Sequence, residues 1–411
     1  MVFVHLNALA IVAIFLNLAC HTTGFTLQSL WPNALITSST ITPKIMIVGF
    51  YPDEQSVWEG IPEFDIFGQN ITVPGLSSQF PQVHCTKEGD VCQMLAGEGE
   101  INAASSITAV AFSPLFDFRT TYFMIAGVAG INPEIAGIGS VTFAQFVTQP
   151  ALQYEFDARE KPENYTTGYV PQGSQFPSQY PSELYGTECY EVNARLKSLA
   201  VGFAKTAQLN DTAAAARFRA TYRGYAPYAA GTTEPGVYEC DAATADVYVS
   251  GRLLSEAWQN YTHLITNGTG KYCTTLQEDS GVLEALLRAD LAKRADFARA
   301  IVMRTGSDYD RQAPETSPID NLYFGQDGYT PALNNIYLAG VKVVQGILMG
   351  WERTFKRGIT PENYVGDILG SLGGRPDFGP GSIFTMDGES GTTQLMRKRG
   401  RGQLRGRRRP L

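Results

Sequence analysis

Lys44-Ile-Met-Ile-Val-Gly-Phe50 is a short β-branched run closed by glycine, the pattern of a first strand buried on both faces. A helix is expected to follow from Asp53. The pattern then recurs. Val91 to Ala96 is apolar, Gly97-Glu98-Gly99 is a turn, and Glu100 to Val110 is helix-like; Tyr122 to Ala126 leads into a further glycine turn, Gly127 to Gly130. Downstream, strands are expected at Asp246 to Ser250 and Ala300 to Arg304, with helices from about Glu278 to Arg294 and Pro331 to Trp351. Strands alternating with helices imply an α/β protein: three layers, α/β/α, around a mostly parallel mixed sheet. The Tyr-, Gly- and Pro-rich stretch from Glu160 to Tyr185 reads as a long surface loop, because strand signals resume on both sides of it. There is no internal repeat and no sign of a second domain.

Working outward, the chain has 411 residues, 44% hydrophobic and 11% aromatic, enough to build large packed cores. The apolar run Leu6 to Cys20, followed by small and polar residues, reads as a signal peptide over residues 1–24. It is shorter than the ~20 residues that a bilayer span requires. The folded domain is expected over 43–385 and a basic, disordered tail over 386–411. No later segment is as long, apolar and charge-free, which excludes a multi-span membrane channel and points to a secreted or cell-surface protein.

The formal charge is -8, and the last fifteen residues hold eight Lys or Arg and no acid, so the rest of the chain stands at -16. So acidic a body disfavours a nucleic-acid partner. Of six cysteines, Cys85 and Cys92 are spaced for a small loop and Cys240 and Cys273 for a longer one. Cys189 is left over, and Cys20 leaves with the signal. Disulfides are favoured over metal, since His84-Cys85 lacks a second pair at zinc spacing. Asn70, Asn164, Asn210, Asn260 and Asn267 each begin an Asn-x-Ser/Thr acceptor, as in an exported glycoprotein.

Several chemistries drop out. Gly97-Glu98-Gly99 lacks the third glycine of a dinucleotide fingerprint, having Asn102 there, and Glu98 and Glu100 would repel a pyrophosphate. After signal removal only His84 and His263 remain, and no G-x-S-x-G occurs, which leaves no serine-hydrolase constellation. Asp53-Glu54 is too sparse for the aspartate cluster of a calcium-dependent nucleoside hydrolase. Two acids stand where a strand or helix end opens a crevice: Asp308, after the run Ala300 to Thr305, and Glu278, at the start of a helix. On spacing alone, Glu278 also fits an acid favoured by the helix dipole, and Asp308 a turn former.

Longer motifs carry a resemblance. Ile61-Pro-Glu-Phe64, Asn70-Ile-Thr-Val-Pro-Gly75, His84-Cys85, Gly97-Glu-Gly-Glu-Ile-Asn-Ala103, Ala126-Gly-Val-Ala-Gly-Ile-Asn132 and Tyr154-Glu-Phe-Asp-Ala-Arg159 resemble the fungal purine nucleoside permeases, over about Pro43 to Gly381. That family looks distantly similar to the nucleoside phosphorylase fold, and the order of motifs agrees with its methylthioadenosine nucleosidase branch. The resemblance implies that Asp308 protonates the departing purine and that Glu278, with Gln277 beside it, holds the ribose hydroxyls. It implies that Glu54 holds the attacking water, with Arg304 paired to Glu54 as an orienting cation. It makes Gly97, Gly99 and Gly127 the glycine turns of the pocket. The arginine that phosphorylases of this fold place two residues before the glycine is Ile125 here, and Val128 replaces the following serine. Water is therefore favoured over phosphate as the nucleophile. Arg252 stands where the nucleosidase branch has an acid after Ser-Gly, which leaves base specificity open.

The function so implied is an exported protein that cleaves the N-glycosidic bond of purine nucleosides, by hydrolysis rather than phosphorolysis, in support of uptake. Two alternatives stand beside it: a component of nucleoside transport, and a binding protein that has lost the chemistry. No metal or cofactor is expected. The expected partners are a purine nucleoside and, beyond it, a membrane transporter, the cell wall or a second copy of the chain.

Overall fold

The computed structural model describes residues 40–378; the expected signal peptide, the basic tail and Cys20 lie outside them. The strand β1 is Ile45–Gly49, and α1, Pro52–Ser56, is a single turn started by proline, whose fixed φ suits the first helical position. Then follow β2 (Gln69–Thr72), β3 (Gln82–Cys85), β4 (Val91–Leu95), α2 (Glu100–Ala111) and β5 (Tyr122–Ile131). The strands β6 (Val141–Ala144) and β7 (Phe146–Thr148) lead to the two-residue pieces β8 (Tyr154–Glu155), just before the long loop, and β9 (Tyr169–Val170), inside it. Next come β10 (Cys189–Glu191), α3 (Ala194–Ala204), α4 (Ala213–Arg219), β11 (Val237–Glu239), β12 (Asp241–Thr244), α5 (Arg252–Ile265) and β13 (Tyr272–Leu276). The chain continues through α6 (Asp279–Leu291), β14 (Ala300–Tyr309), α7 (Pro318–Tyr323), α8 (Tyr329–Met349) and β15 (Gly366–Asp367).

Alternation along the central strands builds two cores, one on each face of the sheet. Met46, Val48, Phe123, Ile125 and Val302 point to one side, against Ile107 and Val110 of α2 and Leu283 and Leu286 of α6. Ile45, Ile47, Met124, Ile301 and Met303 point to the other, against Leu196 and Ala200 of α3 and Ile336, Val343 and Val344 of α8. The three-layer α/β/α arrangement follows from that division. Burial of five such side chains in β1 and its neighbours, at about 1.5–3 kcal/mol each, explains why the strand needs no polar face.

The sheet is mixed. Parallel pairs join β1 to β4 and β5, and β14 to β5, at its centre; antiparallel pairs are as numerous and include β13 with β5 and β14 with β6. Because β6 and β7 are separated by Gln145 alone, the pairings β5–β14–β6 and β7–β12–β13–β5 return to their starting strand. The sheet therefore curls closed on itself.

Strand β5 changes partner along one edge: Tyr122 to Ile125 lie beside β1, and Gly130 and Ile131 beside β13. Between them Ala126 to Ala129 have no strand on that edge, and a crevice opens there. Two expectations are corrected at this point. Gly127 to Gly130 is strand, not turn, and Asp308 lies within β14, which runs on to Tyr309. A third correction concerns Asp246 to Ser250, which is irregular; the strand is the preceding Asp241-Ala-Ala-Thr244. Both expected disulfides are present, Cys85–Cys92 and Cys240–Cys273, and Cys189 is free and buried. Among the described residues one helix, α8, is long and apolar enough to cross a membrane, and it is a core helix packed on β14 and β5.

Candidate active site

The crevice beside β5 opens into a cavity of about 790 Å3, a size suited to a small molecule. Glu54, Glu278, Gln277, Arg304 and Asp308, brought together from distant parts of the sequence, all line it, as do Val128 and Tyr248.

Glu54 enters from α1, yet it is 1% exposed. One carboxylate oxygen accepts the backbone N–H of Phe50 at 2.7 Å and the other that of Val128 at 2.8 Å. Burial pushes its pKa up to about 8, against the lowering effect of the nearby Arg304 and those two amides. Gly127 makes the approach possible, since a Cβ there would stand 2.5 Å from Glu54 Oε1 and 2.7 Å from Arg304 Nη1. Its role is this close packing and not a turn.

Arg304, from the middle of β14, is 2% exposed and lies 4.4 Å over the Phe50 ring. Its Nη1 donates to the Val128 carbonyl at 3.0 Å, and its Nη2 to Glu278 Oε2 at 3.0 Å and Asp279 Oδ1 at 2.5 Å. The expected pairing with Glu54 is thereby corrected: the cation binds the two acids at the start of α6, and Glu54 is held by backbone amides. Burial opposes the charge on Arg304, but Asp279 and Glu278 outweigh it and raise its pKa, so it stays protonated. Asp279 is a residue that the sequence reading missed; two adjacent acids opening a helix after a buried strand are the signal for it.

Glu278 occupies the N-cap of α6 and is 6% exposed, its pKa raised by burial in spite of Arg304. Its Oε1 lies 3.5 Å from the Gly99 amide, which arrives because Gly97 and Gly99 both take positive φ in the turn before α2. Gln277 donates its side-chain amide to the Asp246 carbonyl at 2.9 Å, which leaves its oxygen for the cavity.

Asp308 receives a hydrogen bond from Ser307 Oγ at 2.7 Å and another from the Tyr248 hydroxyl. Burial raises its pKa to about 6. Gly130, across from it on β5, would place a Cβ 3.5 Å from its Oδ2. Tyr248 is a second residue missed in the sequence: its segment, Asp246 to Ser250, reads as a strand by its Val-Tyr-Val alternation but forms the rim of the cavity.

The arrangement thus offers a half-buried acid with a raised pKa at Gly130, a buried amide-held carboxylate at Gly127 and Val128, and a third carboxylate fixed on a cation. Among the described residues lining the cavity, Glu54, Glu98, Glu278, Asp308 and Asp327 are acids and Arg304 is the one Lys or Arg.

The family model described as purine nucleoside permease matches residues 42–360. A purine nucleoside permease of Candida albicans is 40% identical over 350 residues, 84% of each chain. A probable purine nucleoside permease of Schizosaccharomyces pombe is 38% identical over 323 residues, 76% of this chain and 91% of that one. Among solved structures, a 5'-methylthioadenosine/S-adenosylhomocysteine nucleosidase of Neisseria meningitidis is similar with a TM-score of 0.40 at 13% identity, over 74% of this chain and 99% of that chain. A futalosine hydrolase of Helicobacter pylori is similar with a TM-score of 0.43 at 13% identity, over 76% of this chain and 99% of that chain.

Proposed function

The chain belongs to the purine nucleoside permease family, and from that membership we propose that it binds purine nucleosides in the β5 cavity and hydrolyses their N-glycosidic bond. The observation that carries the reading is the placement of two carboxylates in one cavity, the buried Glu54 over Gly127 and the half-buried Asp308 over Gly130. Those glycines stand three positions apart on β5, and both carboxylates face the one cavity from different sides of the strand.

In the proposed step Glu54, ionised, accepts a proton from a water as its oxygen bonds to C1' of the ribose. The C1'–N9 bond breaks, its electron pair passes into the purine, and protonated Asp308 gives its proton to the ring nitrogen. The products are free base and ribose, and the proton on Glu54 returns to Asp308 through solvent. Glu278 accepts hydrogen bonds from the ribose hydroxyls, and its charge, with that of Glu54, favours the oxocarbenium character that develops at the sugar.

Water is preferred to phosphate because the cavity is acidic and its one cation is already engaged by Glu278 and Asp279. Export is preferred because two disulfides suit an oxidising compartment. The test is to incubate the purified protein with adenosine, guanosine and inosine, with and without phosphate. Base plus free ribose without phosphate is expected. Ribose 1-phosphate formed only with phosphate would replace hydrolysis by phosphorolysis, and binding without release of base would leave a nucleoside-binding protein.

A further inference from the structure

Asp279 has no task in the reaction just described. It is fully buried at the first position of α6; its Oδ1 binds Arg304 Nη2, and its Oδ2 has no hydrogen-bond partner. Placing a second carboxylate beside Glu278 out of water is costly, and a hydrophobic side chain at this depth would pack without that cost. The helix dipole does not explain it either, because Glu278 already supplies an acid at this terminus.

What Asp279 changes is the guanidinium. An oxyanion entering the cavity would look for two parallel N–H donors on Arg304, the strong mode by which arginine holds phosphate. The outer nitrogens are taken: Nη1 by the Val128 carbonyl, and Nη2 by Glu278 and Asp279 together. The second N–H of Nη1 and that of Nε remain, but both parallel pairs of a guanidinium include Nη2, so these two do not make that paired grip. Glu278 and Glu54 already face the single charge of Arg304. With Asp279 as well, the cluster around Arg304 carries an excess of carboxylate, which repels a phosphate dianion at short range in a poorly solvated site.

We propose that Asp279 is a specificity-determining residue that reserves the site for water, by occupying Arg304 and so denying inorganic phosphate its counter-ion. The inference rests on the hydrolytic reading above and names the residue that enforces it.

The experiment compares the parent protein with Asp279→Asn, Asp279→Ser and Asp279→Glu, titrating inorganic phosphate against inosine cleavage and identifying the sugar product. The parent and Asp279→Glu are expected to be indifferent to phosphate and to yield ribose. In Asp279→Asn, phosphate should become either a substrate, giving ribose 1-phosphate, or a competitor that raises the apparent KM for nucleoside by about tenfold, the effect of one ordinary charge-assisted hydrogen bond. Asp279→Ser serves the same purpose if Asn does not pack. Variants that fold, bind nucleoside and stay as indifferent to phosphate as the parent would overturn the proposal, as would turnover lost equally in all three. If the parent itself releases no base, the hydrolytic reading fails separately. The comparison is then made on phosphate competition with nucleoside binding, by calorimetry, and the same contrast between parent and variants decides it.

Discussion

Glu54 accepts the backbone N–H of Val128 at 2.8 Å, and this one bond ties a single-turn helix to the unpaired stretch of the central strand β5. The carboxylate is thereby aimed by rigid backbone, with its partner amide at Phe50 fixing the other oxygen. Any side chain at Gly127 would destroy the aim.

Gly127→Ala should therefore displace both Glu54 and Arg304, since its Cβ would sit 2.5 Å and 2.7 Å from them. Overpacking of this kind costs about 1–3 kcal/mol, which a folded protein of this size survives, while a misplaced base lowers kcat by about 100-fold. Circular dichroism and steady-state cleavage of inosine on the same sample check both halves.

Asp308→Asn keeps the shape of the side chain and its acceptor for Ser307, but has no proton to give. Turnover should fall by about 10²–10⁴-fold, with nucleoside affinity altered only a few-fold. Unchanged turnover in this variant would remove Asp308 from the mechanism.

The pH profile follows from the two raised carboxylates. The proposed step needs Asp308 protonated and Glu54 ionised, whereas their pKa values, about 6 and about 8, favour the opposite distribution at neutrality. That form grows as pH rises to about 6, holds at roughly 1% of the enzyme between the two values, and declines above about 8. A plot of kcat/KM against pH should be a flat-topped bell with limbs at those positions. The same shift at Asp308 bears on stability. Its folded pKa is raised, so its contribution is complete below the unfolded value and is lost as pH rises through about 6. Thermal unfolding of the ligand-free parent should accordingly show a decline in Tm across that range that is smaller in Asp308→Asn, where the raised Glu54 alone of the two acids still contributes.

Replacing both Cys240 and Cys273 by serine releases a loop with a sequence separation of 33 residues, for which chain entropy gives about 3–4 kcal/mol; the seven-residue separation of Cys85 and Cys92 gives nearer 2 kcal/mol. Denaturant titration of the two double variants should rank them in that order. Reversal would mean that strain or residual structure, and not loop length, sets their worth.

The layers of the fold were legible because central strands such as Ile45–Gly49 are apolar on both faces and end at glycine, and because α2 and α8 keep helical composition over long runs. The two disulfides were legible from spacing. The remaining errors share a physical cause, which is that site residues break the patterns that signal structure. Polar Arg304, Thr305, Ser307 and Asp308 seemed to end a strand that in fact continues, because the first three are buried and Asp308 half-buried against the cavity and β5. Gly127 and Gly130 looked like a turn, whereas they are strand positions stripped of side chains so that Glu54, Arg304 and Asp308 can approach. The strand Asp241-Ala-Ala-Thr244 passed unnoticed because alanine has weak β propensity, and the Val-Tyr-Val sequence after it drew the assignment. Of the expected site, Asp308, Glu54, Arg304, Glu278 and Gln277 meet in one cavity; Asp279 and Tyr248 could be found only once the chain was folded.

The partner change along β5 has a mechanical consequence. Where Ala126 to Ala129 lack a neighbour on one edge, the sheet has a seam, with β1 holding one end of the strand and β13 the other. A nucleoside bound there as proposed would touch side chains from both sides of the seam and act as a cross-brace between them. Occupancy should then be felt as rigidity by the whole sheet, and amides of β1 and β13 far from any ligand atom should exchange their hydrogens more slowly when the seam is filled.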